Sequence, residues 1–414
     1  MEVDQILALT IFCLTYLGMA FGHFYYFKLD RTGIALLGAI AILATGVLSL
    51  DSAIKSVNMR SMLMLFSLMV ISSQLQRAGF YLVVARWIAG FLHRPAFFLA
   101  FLMFSSGLLS AFLNNDIVCF AFTPVVALAL VEKKINPIPF LIGLAVSSNI
   151  GCAATMIGNA QNVLIGELAH LDFASYIRWT SVPVICSLIA AYFVIILITG
   201  GKFNLSKEDY DADFEKEPGP KVTIDTWQIC KGLFVVFLLI AFFFTSLPRY
   251  VVALVGAGAL LTSHRFKSRK ILKLVDWQLI ILFIGLFVVI GGFDQSGLGE
   301  KTITFLRKQG VNLQNFYTLG IITAALSNLI NNSATVMLLA HFLNFDNPVT
   351  AYVLALSNTF AGNIFIIGSV ANIIVVNEAK RCGIPISFAK FAKFGIPIGL
   401  TSIGILLAWI KLSC

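Results

Sequence analysis

The sequence predicts an all-α membrane protein that crosses the bilayer many times and consists of two related halves. Of its 414 residues, 59% are hydrophobic and 12% are charged, whereas a soluble domain is about half apolar and about a quarter charged. Apolar runs of membrane-helix length recur along the chain, and short blocks of sequence recur in the second half. This apolar surplus is too large for one water-soluble core, so most of it must face lipid or other membrane helices.

Ten apolar runs are candidate transmembrane helices, because each approaches the roughly 20 residues that span a hydrocarbon core of about 30 Å. They are residues 5–23, 32–50, 60–76, 138–167, 179–200, 229–246, 250–263, 277–293, 349–377 and 394–412. Two further apolar segments, 97–130 and 316–343, are interrupted near the middle by polar residues. The first run lacks a basic preceding stretch and a cleavage site, so it is predicted to be a membrane helix and not a signal peptide.

Three pairs of similar blocks indicate an internal duplication. RTGIALLGAIAIL resembles RYVVALVGAGALL at an offset of 218 residues, SAFLNND resembles SNLINNS at 217, and IGNAQN resembles IGSVAN at 210. The blocks begin at residues 31 and 249, 110 and 327, and 157 and 367. With five crossings in each half, the second half enters the membrane from the opposite side, so the halves are predicted to be inverted repeats.

The distribution of basic residues supports this topology. If the N-terminus lies outside and the interrupted segments are re-entrant hairpins, 21 of the 29 Lys and Arg residues fall on the cytoplasmic side and 8 on the other. Such an excess is what the positive-inside rule predicts. Both termini are therefore predicted outside, and the polar linker 201–228 in the cytoplasm. The bases lie between apolar runs, which argues against nucleic-acid binding.

Residues 80–94 and 300–310 are predicted to be helices that lie in the membrane interface. The first combines three basic residues with Trp87 and Phe91, and basic and aromatic residues along an apolar stretch are typical of interfacial helices. The alternative is a short fourth crossing, which would move the following hairpin to the other side of the membrane.

The two interrupted segments carry matching polar clusters, and each is predicted to form the tip of a helical hairpin inside the membrane. Asn, Asp and Ser are poor helix formers, and unpaired backbone at this depth is tolerated only where protein or a water-filled cavity receives it. A carboxylate buried in a membrane is costly and indicates function. The alternative is a cytoplasmic loop between two short helices. The predicted tip residues are Ser110, Asn114, Asn115 and Asp116 in the first half and Ser327, Asn331, Asn332, Ser333 and Thr335 in the second.

Two of the ten runs, 138–167 and 349–377, mix Gly with Asn, Ser and Thr and are predicted to be discontinuous helices. Gly permits unusual backbone angles, and freed carbonyl and N–H groups of broken membrane helices bind ions and anionic groups. The alternative is close helix packing through small residues. The predicted binding residues are Asn149, Thr155, Gly158, Asn159 and Asn162, and Asn358, Thr359, Gly362, Asn363, Gly368, Ser369 and Asn372.

These four polar segments contain no Lys or Arg. An anionic solute would therefore be held by amide donors and positive helix N-termini, aided by a bound cation. Cys119 and Cys152 lie beside the segments and are either thiol ligands for a metalloid or small packing residues. The seven cysteines show no CxxC spacing, so neither a disulfide framework nor a zinc site is predicted.

The tip SAFLNND with a later Thr-Pro, the broken helix ending in IGNAQN, and their repetition as NNSAT and IGSVAN resemble the ion transporter superfamily. That group includes divalent anion/sodium symporters, arsenite permeases, citrate carriers and a sodium/proton antiporter branch. The resemblance covers nearly the whole chain and implies a homodimer in which scaffold helices hold a transport domain that moves as an elevator. It implies scaffold parts at 1–96 and 229–314 and transport parts at 97–200 and 315–414, separated by the linker 201–228.

Two departures bear on the substrate. The dicarboxylate symporters resemble one another in a Ser-Asn-Thr at both tips, whereas this sequence has Asn-Asn-Asp at 114–116 and Asn-Asn-Ser at 331–333. GNAQN and GSVAN also replace a proline-containing turn after the broken helices. The acid in the first tip is closer to the arsenite permeases and antiporters.

We therefore expect a secondary transporter of a small anion or oxyacid, such as a carboxylate or arsenite, with Na⁺ or H⁺ as coupling ion and no other cofactor. Asp116 is the predicted ion or proton carrier. One alternative is a Na⁺/H⁺ antiporter without an anion substrate. Another is a membrane-embedded enzyme or sensor, which the absence of HExxH, paired-acid and Walker motifs from the apolar spans disfavours. Na⁺ is predicted to bind at Asn115, Asp116, Asn332, Gly158 and Gly368.

The expected partners are the small solute, the lipid bilayer and, from the resemblance, a second copy of the chain. An accessory ATPase is allowed by the resemblance to arsenite permeases but has no specific signal in the sequence, and no nucleic acid is expected. The expected location is the inner membrane of a prokaryotic cell.

Overall fold

The chain is helical throughout the part that the computed structural model describes, residues 3–21, 29–92, 94–205, 223–263 and 265–413. His93 and most of the linker 201–228 lie outside these ranges. The first ten helices are α1 (Val3–Phe21), α2 (Arg31–Ala44), α3 (Leu50–Ser56), α4 (Met59–Ala78), α5 (Phe80–Ala89), α6 (Pro95–Phe112), α7 (Asn115–Glu132), α8 (Ile138–Cys152), α9 (Ala160–Leu168) and α10 (Phe173–Thr199). The second ten are α11 (Thr226–Phe243), α12 (Arg249–Leu261), α13 (Ser268–Leu272), α14 (Trp277–Gln295), α15 (Leu298–Lys308), α16 (Phe316–Ile330), α17 (Asn332–Phe342), α18 (Pro348–Ala361), α19 (Val370–Arg381) and α20 (Phe388–Ser413), with a 3-10 turn at Ile366–Gly368.

Each of the first ten helices has a counterpart ten places later, and most paired helices are of similar length. For example, α4 has 20 residues and α14 has 19, while α10 has 27 and α20 has 26, although α7 has 18 residues and α17 has 11. Gly79 and Gly297, which lie 218 positions apart, have φ angles of +86° and +72° and turn the chain into α5 and α15. Only glycine adopts this conformation without strain. The fold therefore repeats the duplication found in the sequence, as two inverted repeats.

Seven helices of the described residues are long and apolar enough to cross a bilayer, namely α1, α6, α7, α10, α11, α14 and α20. An eighth candidate joins α3 to α4 across a bend of 57°. The crossing predicted over 32–50 is helical only to Ala44, because the chain turns at Gly46, where φ is +75°. Helix α5 has ten residues, about 15 Å of helix, which is too short for a fourth crossing and agrees with the predicted interfacial helix.

Both predicted discontinuous helices are interrupted. Residues 153–159, named break 1, separate α8 from α9, and residues 362–369, named break 2, separate α18 from α19. Both interrupted apolar segments are hairpins, in which α6 turns into α7 at residues 113–116, named tip 1, and α16 turns into α17 at residues 330–333, named tip 2.

The helices pack into two bundles that each draw equivalent helices from both halves. Bundle A contains α1–α4 and α11–α14, where α2 packs against α14 and α4 against α12. Bundle B contains α6–α10 and α16–α20, where α6 packs against α8, α16 against α18, and α10 against α20. Both tips and both breaks belong to bundle B, so the polar interruptions of the two halves are collected in one body.

Candidate functional site

The second residue of each tip is an asparagine that caps the second arm of its hairpin. The Asn114 side chain accepts a hydrogen bond from the backbone N–H of Asp116 at 2.8 Å, and Asn331 accepts one from Ser333 at 2.8 Å. These bonds satisfy N–H groups that a helix start leaves without intrahelical partners. Asn331 has a φ of +112°, so tip 2 turns within one residue, whereas tip 1 uses two residues with negative φ.

Tip 1 lies against the last turn of α8, immediately before break 1. The hydroxyls of Ser110 and Ser148 are 2.7 Å apart, and Ser148 also donates to the backbone carbonyl of Asn115 at 3.2 Å. The Asn115 amide donates to Asn149 Oδ1 at 3.2 Å. These contacts fix the tip at the level at which α8 ends, within the interior of bundle B.

Tip 2 makes an equivalent contact with the end of α18. The Ser327 hydroxyl donates to Asn332 Oδ1 at 2.5 Å and lies 3.1 Å from the Asn358 carbonyl. The Asn328 amide donates to the Ala361 carbonyl at 3.0 Å. Each hairpin is therefore tied to the broken helix of its own half.

One asparagine in each half braces the break with the same two bonds. Asn162 and Asn372 lie 210 positions apart, and each side-chain amide donates to two carbonyls that the end of the preceding helix leaves free. The bonds run from Asn162 Nδ2 to Cys152 O (3.1 Å) and Thr155 O (3.2 Å), and from Asn372 Nδ2 to Gly362 O (2.8 Å) and Phe365 O (3.1 Å). The repeat thus extends to individual hydrogen bonds.

Glycine is required where the chain returns past the end of the preceding helix. A Cβ atom at Gly158 would lie 2.3 Å from the Cys152 carbonyl oxygen and 2.6 Å from that of Ser110. A Cβ atom at Gly368 would lie 2.9 Å from the Gly362 carbonyl oxygen. Both positions therefore admit only a residue without a side chain, unless the backbone moves.

Asn149 joins the two halves. Its amide donates to Asn363 Oδ1 at 3.0 Å and to Asn372 Oδ1 at 2.9 Å, while its Oδ1 accepts from Asn115 at 3.2 Å and from the Ser369 hydroxyl at 2.9 Å. Asn115 belongs to tip 1, Asn363 and Ser369 belong to break 2, and Asn372 lies in the first turn of α19. Tip 1 and break 2 therefore meet at a single side chain, which is 2% exposed.

Two further contacts cross between the halves on the other side of break 1. The Gln161 amide donates to the Ser333 hydroxyl of tip 2 at 2.7 Å, and the Asn159 amide lies 3.5 Å from the Thr359 hydroxyl. Both tips and both breaks consequently form one continuous polar cluster in an otherwise apolar bundle.

The second half contains several buried polar atoms without a hydrogen-bond partner. Both side-chain atoms of Asn358 are in this state, although the residue is completely buried. The others near tip 2 and break 2 are Asn328 Oδ1, Thr335 Oγ1, Asn363 Nδ2 and, one turn away on α16, Thr323 Oγ1. At tip 1 and break 1 the corresponding set contains only Asn162 Oδ1 among the described residues.

A narrow cleft lies where tip 1 and break 1 face bundle A. Asn114, Gly158 and Asn159 line one wall, and apolar residues such as Leu65 and Leu239 line the other. Asp116, in the first turn of α7, is half-buried. The cleft therefore combines amide groups on bundle B with an apolar surface on bundle A.

Some predicted binding residues use their polar groups in hydrogen bonds to backbone carbonyls. The Thr155 hydroxyl donates to the Ala111 carbonyl, and the Thr359 hydroxyl donates to the Ala355 carbonyl at 2.8 Å. Both amide hydrogens of Asn162 are used on the break itself. The remaining predicted residues lie in the tips and breaks or within four residues of them. The structure brings Asn115, Asn363, Ser369 and Asn372 into contact through Asn149.

Three polar residues of the cluster, Ser148, Gln161 and Asn328, were not among those predicted. Each lies inside a motif that the sequence analysis identified, next to a predicted residue. Their contacts join segments 33 or more positions apart and could not be predicted from the sequence. The only sequence signal for these three residues was their place within a run of polar residues.

The two buried thiols lie beside tip 1 and break 1. Cys152 Sγ donates to the Asn149 carbonyl at 3.0 Å and accepts from the Asn159 amide at 3.1 Å, while Cys119 is buried on α7. Within the part of the chain that the structure describes, no three His, Cys, Asp or Glu side chains lie together as metal ligands do.

Proteins named as membrane proteins or transporters resemble the chain over nearly its whole length. A 46 kDa membrane protein of Mycobacterium leprae is 28% identical over 97% of this chain and 97% of its own length. The silicon efflux transporter LSI3 of rice is 27% identical over 94% of this chain and 96% of its own. The putative transporter arsB of Dictyostelium discoideum is 22% identical over 90% and 85%.

Two solved structures share the fold. The YdaH transporter of Alcanivorax borkumensis superposes with a TM-score of 0.55 at 17% identity, covering 100% of this chain and 99% of that one. MtrF of Neisseria gonorrhoeae superposes with a TM-score of 0.57 at 13% identity, covering 100% and 95%. At these identities the likeness concerns the fold alone.

The sequence profile described as "Citrate transporter" matches residues 16–345, most of the chain. Apolar helices of bilayer-spanning length and relatives named as membrane proteins and transporters accompany this match. The protein therefore belongs to the citrate transporter family of the ion transporter superfamily and is an integral membrane transporter, not an enzyme.

Proposed function

We propose that the protein is a secondary active transporter of a small anion or oxyacid, coupled to Na⁺ or H⁺, with its solute site between tip 1, break 1 and break 2. The observation that carries this proposal is the Asn149 network, which joins an interruption of one half to an interruption of the other. Secondary transporters with inverted repeats place their sites where the discontinuous helices of the two repeats meet.

Helix N-termini and amides supply the attraction for the solute. Helices α7, α9, α17 and α19 all begin at a tip or a break, so four sets of free N–H groups and positive dipole ends converge on the cluster. The four polar segments contain no Lys or Arg. A hydroxyl-bearing or singly charged solute fits such donors, and a multiply charged one needs a cation bound beside it.

The coupling cation is proposed to bind through oxygen atoms at the tips and breaks. Unwound carbonyls coordinate Na⁺ in transporters of this architecture. Supporting observations are the unpartnered side-chain oxygens of the second half and the carboxylate of Asp116 in tip 1. The proposed Na⁺ ligands are Asn115, Asp116, Asn332 and the backbone at Gly158 and Gly368.

The solute class is proposed to be oxygen-rich and small. The family profile is named for citrate and one relative for silicon efflux, so carboxylates and neutral or anionic oxyacids such as arsenite are the candidates. The departure of both tips from Ser-Asn-Thr favours an oxyacid over a dicarboxylate.

Transport is proposed to occur by movement of bundle B against bundle A in a homodimer, with the termini outside. The tips and breaks all lie in bundle B, so moving that bundle as a unit carries the whole site. Leu65 and Leu239 form part of an apolar surface on bundle A. Bundle B can slide along such a surface without breaking hydrogen bonds to it.

The decisive experiment measures solute flux into proteoliposomes under imposed Na⁺ and H⁺ gradients, with citrate, arsenite and silicate as solutes. A charge 4 Å from a cation is worth about 4 kcal/mol at an effective dielectric constant of 20, so Asp116→Asn should lower cation-driven flux by about 100-fold or more. Asp30→Asn is the matched control, because the Asp30 side chain caps α2 in bundle A, outside the tips and breaks, and Asn caps equally well. Undiminished cation-driven flux in Asp116→Asn would refute the role of Asp116.

The second candidate function is Na⁺/H⁺ exchange without an anion. The acid at tip 1 lies in a segment that holds no base, which suits alternate binding of H⁺ and Na⁺. Na⁺ flux driven by a pH gradient in the absence of any solute would favour this function, while a requirement for the solute favours the symporter.

A further inference from the structure

Arg249, the first residue of α12, reaches from bundle A into bundle B. Its Nε forms an ion pair with Glu167 Oε1 at 3.2 Å, and the side chains are 15% and 7% exposed. Its Nη1 donates to the Leu171 carbonyl and lies 3.8 Å from Met156 Sδ, and its Nη2 donates to the Gly166 carbonyl at 3.4 Å. All four partners belong to bundle B.

These partners surround the C-terminal end of α9. A cation at a helix C-terminus is stabilised by the free carbonyls and the negative dipole end, and Glu167 adds a charge of opposite sign. The N-terminus of the same short helix follows Asn159 in break 1. Arg249 therefore holds, from bundle A, the half-helix that carries one side of the solute site.

The duplication gives Arg249 a counterpart at the opposite face of the membrane. The offset of 218 that relates the blocks at 31 and 249 pairs Arg249 with Arg31, the first residue of α2. The offset of 210 places Glu167 at Asn377, and the next residue, Glu378, is the acid of α19. An arginine that begins a bundle A helix and an acid near the end of a bundle B half-helix thus occur in both halves.

The second pair is not formed in this structure. Glu378 is paired with Arg381 of its own helix at 2.8 Å, and Arg31 has no ion pair within the described part of the chain. The packing of the two half-helices differs in the same way, because only the half-helix of the first half has its main contact with bundle A. Helix α9 packs against α4 of bundle A, whereas the equivalent α19 makes its main contacts with α7 and α8 of bundle B.

We propose that Arg249–Glu167 is a clasp that holds bundle B in the position seen here, and that Arg31–Glu378 replaces it when bundle B occupies the opposite position. In a pair of inverted repeats, the arrangement of one half in one end state is the arrangement of the other half in the opposite end state. The inference rests on the movement of bundle B under the proposed function and adds the residues that select its two positions.

An ion pair that forms in only one of two states shifts their equilibrium by its differential free energy. Loss of Arg249 must therefore favour the opposite position, and loss of Arg31 must favour the position seen here. Two substitutions of the same residue type should act with opposite sign, which a purely structural role for either arginine does not predict.

The test measures the distance between spin labels on Thr245, which precedes α12 in bundle A, and Asp346, which precedes α18 in bundle B. Both residues are exposed, and the protein is reconstituted in lipid. Two distance populations are expected. Arg249→Ala should shift their ratio by about tenfold toward the second position, and Arg31→Ala by a similar factor toward the first. For labelling, serine replaces Cys13, Cys186, Cys230 and Cys414.

Arg265→Ala is the matched control. Arg265 donates to both carboxylate oxygens of Asp225 at 3.0 Å and keeps the pKa of that carboxyl below its usual value. Both residues belong to bundle A, so breaking this pair should leave the population ratio unchanged. If Arg249→Ala does not fold, Glu167→Gln weakens the same clasp from bundle B by removing its charge, and it should shift the ratio in the same direction as Arg249→Ala by a smaller factor.

The outcomes separate the clasp from the proposed function. Two populations that Arg249→Ala and Arg31→Ala move in opposite directions support the clasp. Two populations that both variants leave unchanged, or move in the same direction, overturn the clasp and leave the moving bundle intact. A single population in every variant overturns the movement of bundle B and the clasp with it.

Discussion

The two halves of bundle B are built alike at their breaks and differently at their tips. Asn162 and Asn372 make the same pair of bonds to the ends of α8 and α18. Tip 1, in contrast, turns over two residues and carries Asp116, whereas tip 2 turns at Asn331 alone and carries Ser333. The two halves thus share the backbone arrangement of their breaks, but they differ in the side chains at their tips, where one half has a carboxylate and the other a hydroxyl.

The halves of bundle B also differ in how completely the buried polar groups at their tips and breaks are paired. In the first half, Asn149 uses its amide hydrogens and oxygen in four bonds. Its counterpart 210 positions later is Thr359, which bonds mainly to its own helix, while neighbouring Asn358 has no partner for either side-chain atom. Unpaired buried polar groups are costly, so their concentration at tip 2 and break 2 supports a contribution of the second half to the proposed cation site, in addition to Asp116 of tip 1.

The largest difference between the halves is expected from alanine at the two break glycines. At Gly158 the new Cβ would lie 2.3 Å from a backbone oxygen, and at Gly368 2.9 Å. Gly158→Ala should lower the unfolding free energy by about 3 kcal/mol or more and abolish transport, while Gly368→Ala should cost about half as much. Equilibrium unfolding in detergent micelles measures both.

Gly258→Ala provides the control for this pair, because nothing lies within 4 Å of a Cβ at that position of α12. Alanine favours the helical conformation over glycine by about 1 kcal/mol, so this variant should be neutral or more stable. Equal losses at Gly158 and Gly368 would show that the tighter approach at break 1 has no energetic consequence.

A smaller effect is expected from removing the residue that joins the halves. Asn149→Ala deletes four buried hydrogen bonds, and with polar bonds between membrane helices worth about 0.6 kcal/mol on average and up to about 1.7, the loss should be about 2–4 kcal/mol. Thr359→Ala, at the equivalent position, should cost about 1 kcal/mol or less. The thermal midpoints of the purified variants give the comparison, and a costlier Thr359→Ala would contradict the central role of Asn149.

The order of elements was predictable because apolar runs and repeated motifs can be identified directly in the sequence. The hairpin turns fall in the predicted segments 97–130 and 316–343, at residues 113–116 and 330–333, where Asn, Asp and Ser interrupt the apolar run. Both broken helices are interrupted where Gly and Asn cluster. The short helices α3 and α13 escaped prediction, since five to seven residues carry too little periodicity to be recognised.

The pairing of the polar side chains was not predictable. Asn149 contacts residues 214 and 223 positions away, and no single-sequence pattern relates such positions. The repeat even points to Thr359 as the equivalent of Asn149, although their bonds differ. The contact of Arg249 with Glu167 likewise spans 82 positions, and only the folded chain shows that it joins the two bundles.

Alanine substitution of Asn162 and of Asn372, the asparagines that bond to the two breaks, should destabilise the protein equally. Substitutions at the two tips, in contrast, should not have equal effects. Asn162→Ala and Asn372→Ala each remove two bonds to backbone carbonyls of matching position. Each should lower the unfolding free energy by about 1–2 kcal/mol. Equilibrium unfolding in detergent micelles measures both losses. If the two losses agree within experimental error, the equivalent bonds of the two halves contribute equal stability as well as having the same geometry. A loss confined to one of the two would show that the repeat is only one of shape.

The smallest effects, of opposite sign, are expected from glycine at the two capping asparagines. Asn331 has a φ of +112° and a ψ of 151°, a region that only glycine occupies without a cost of about 1–3 kcal/mol. Glycine is also a tolerable cap, at a loss of a few tenths of a kcal/mol. Asn331→Gly should therefore raise the unfolding free energy by about 1 kcal/mol. Asn114 has a φ of −58°, so Asn114→Gly gains no such relief and should lower the unfolding free energy by about 0.5 kcal/mol. If both variants are destabilised alike, the one-residue turn of tip 2 is not strained, and the two tips differ in their side chains alone.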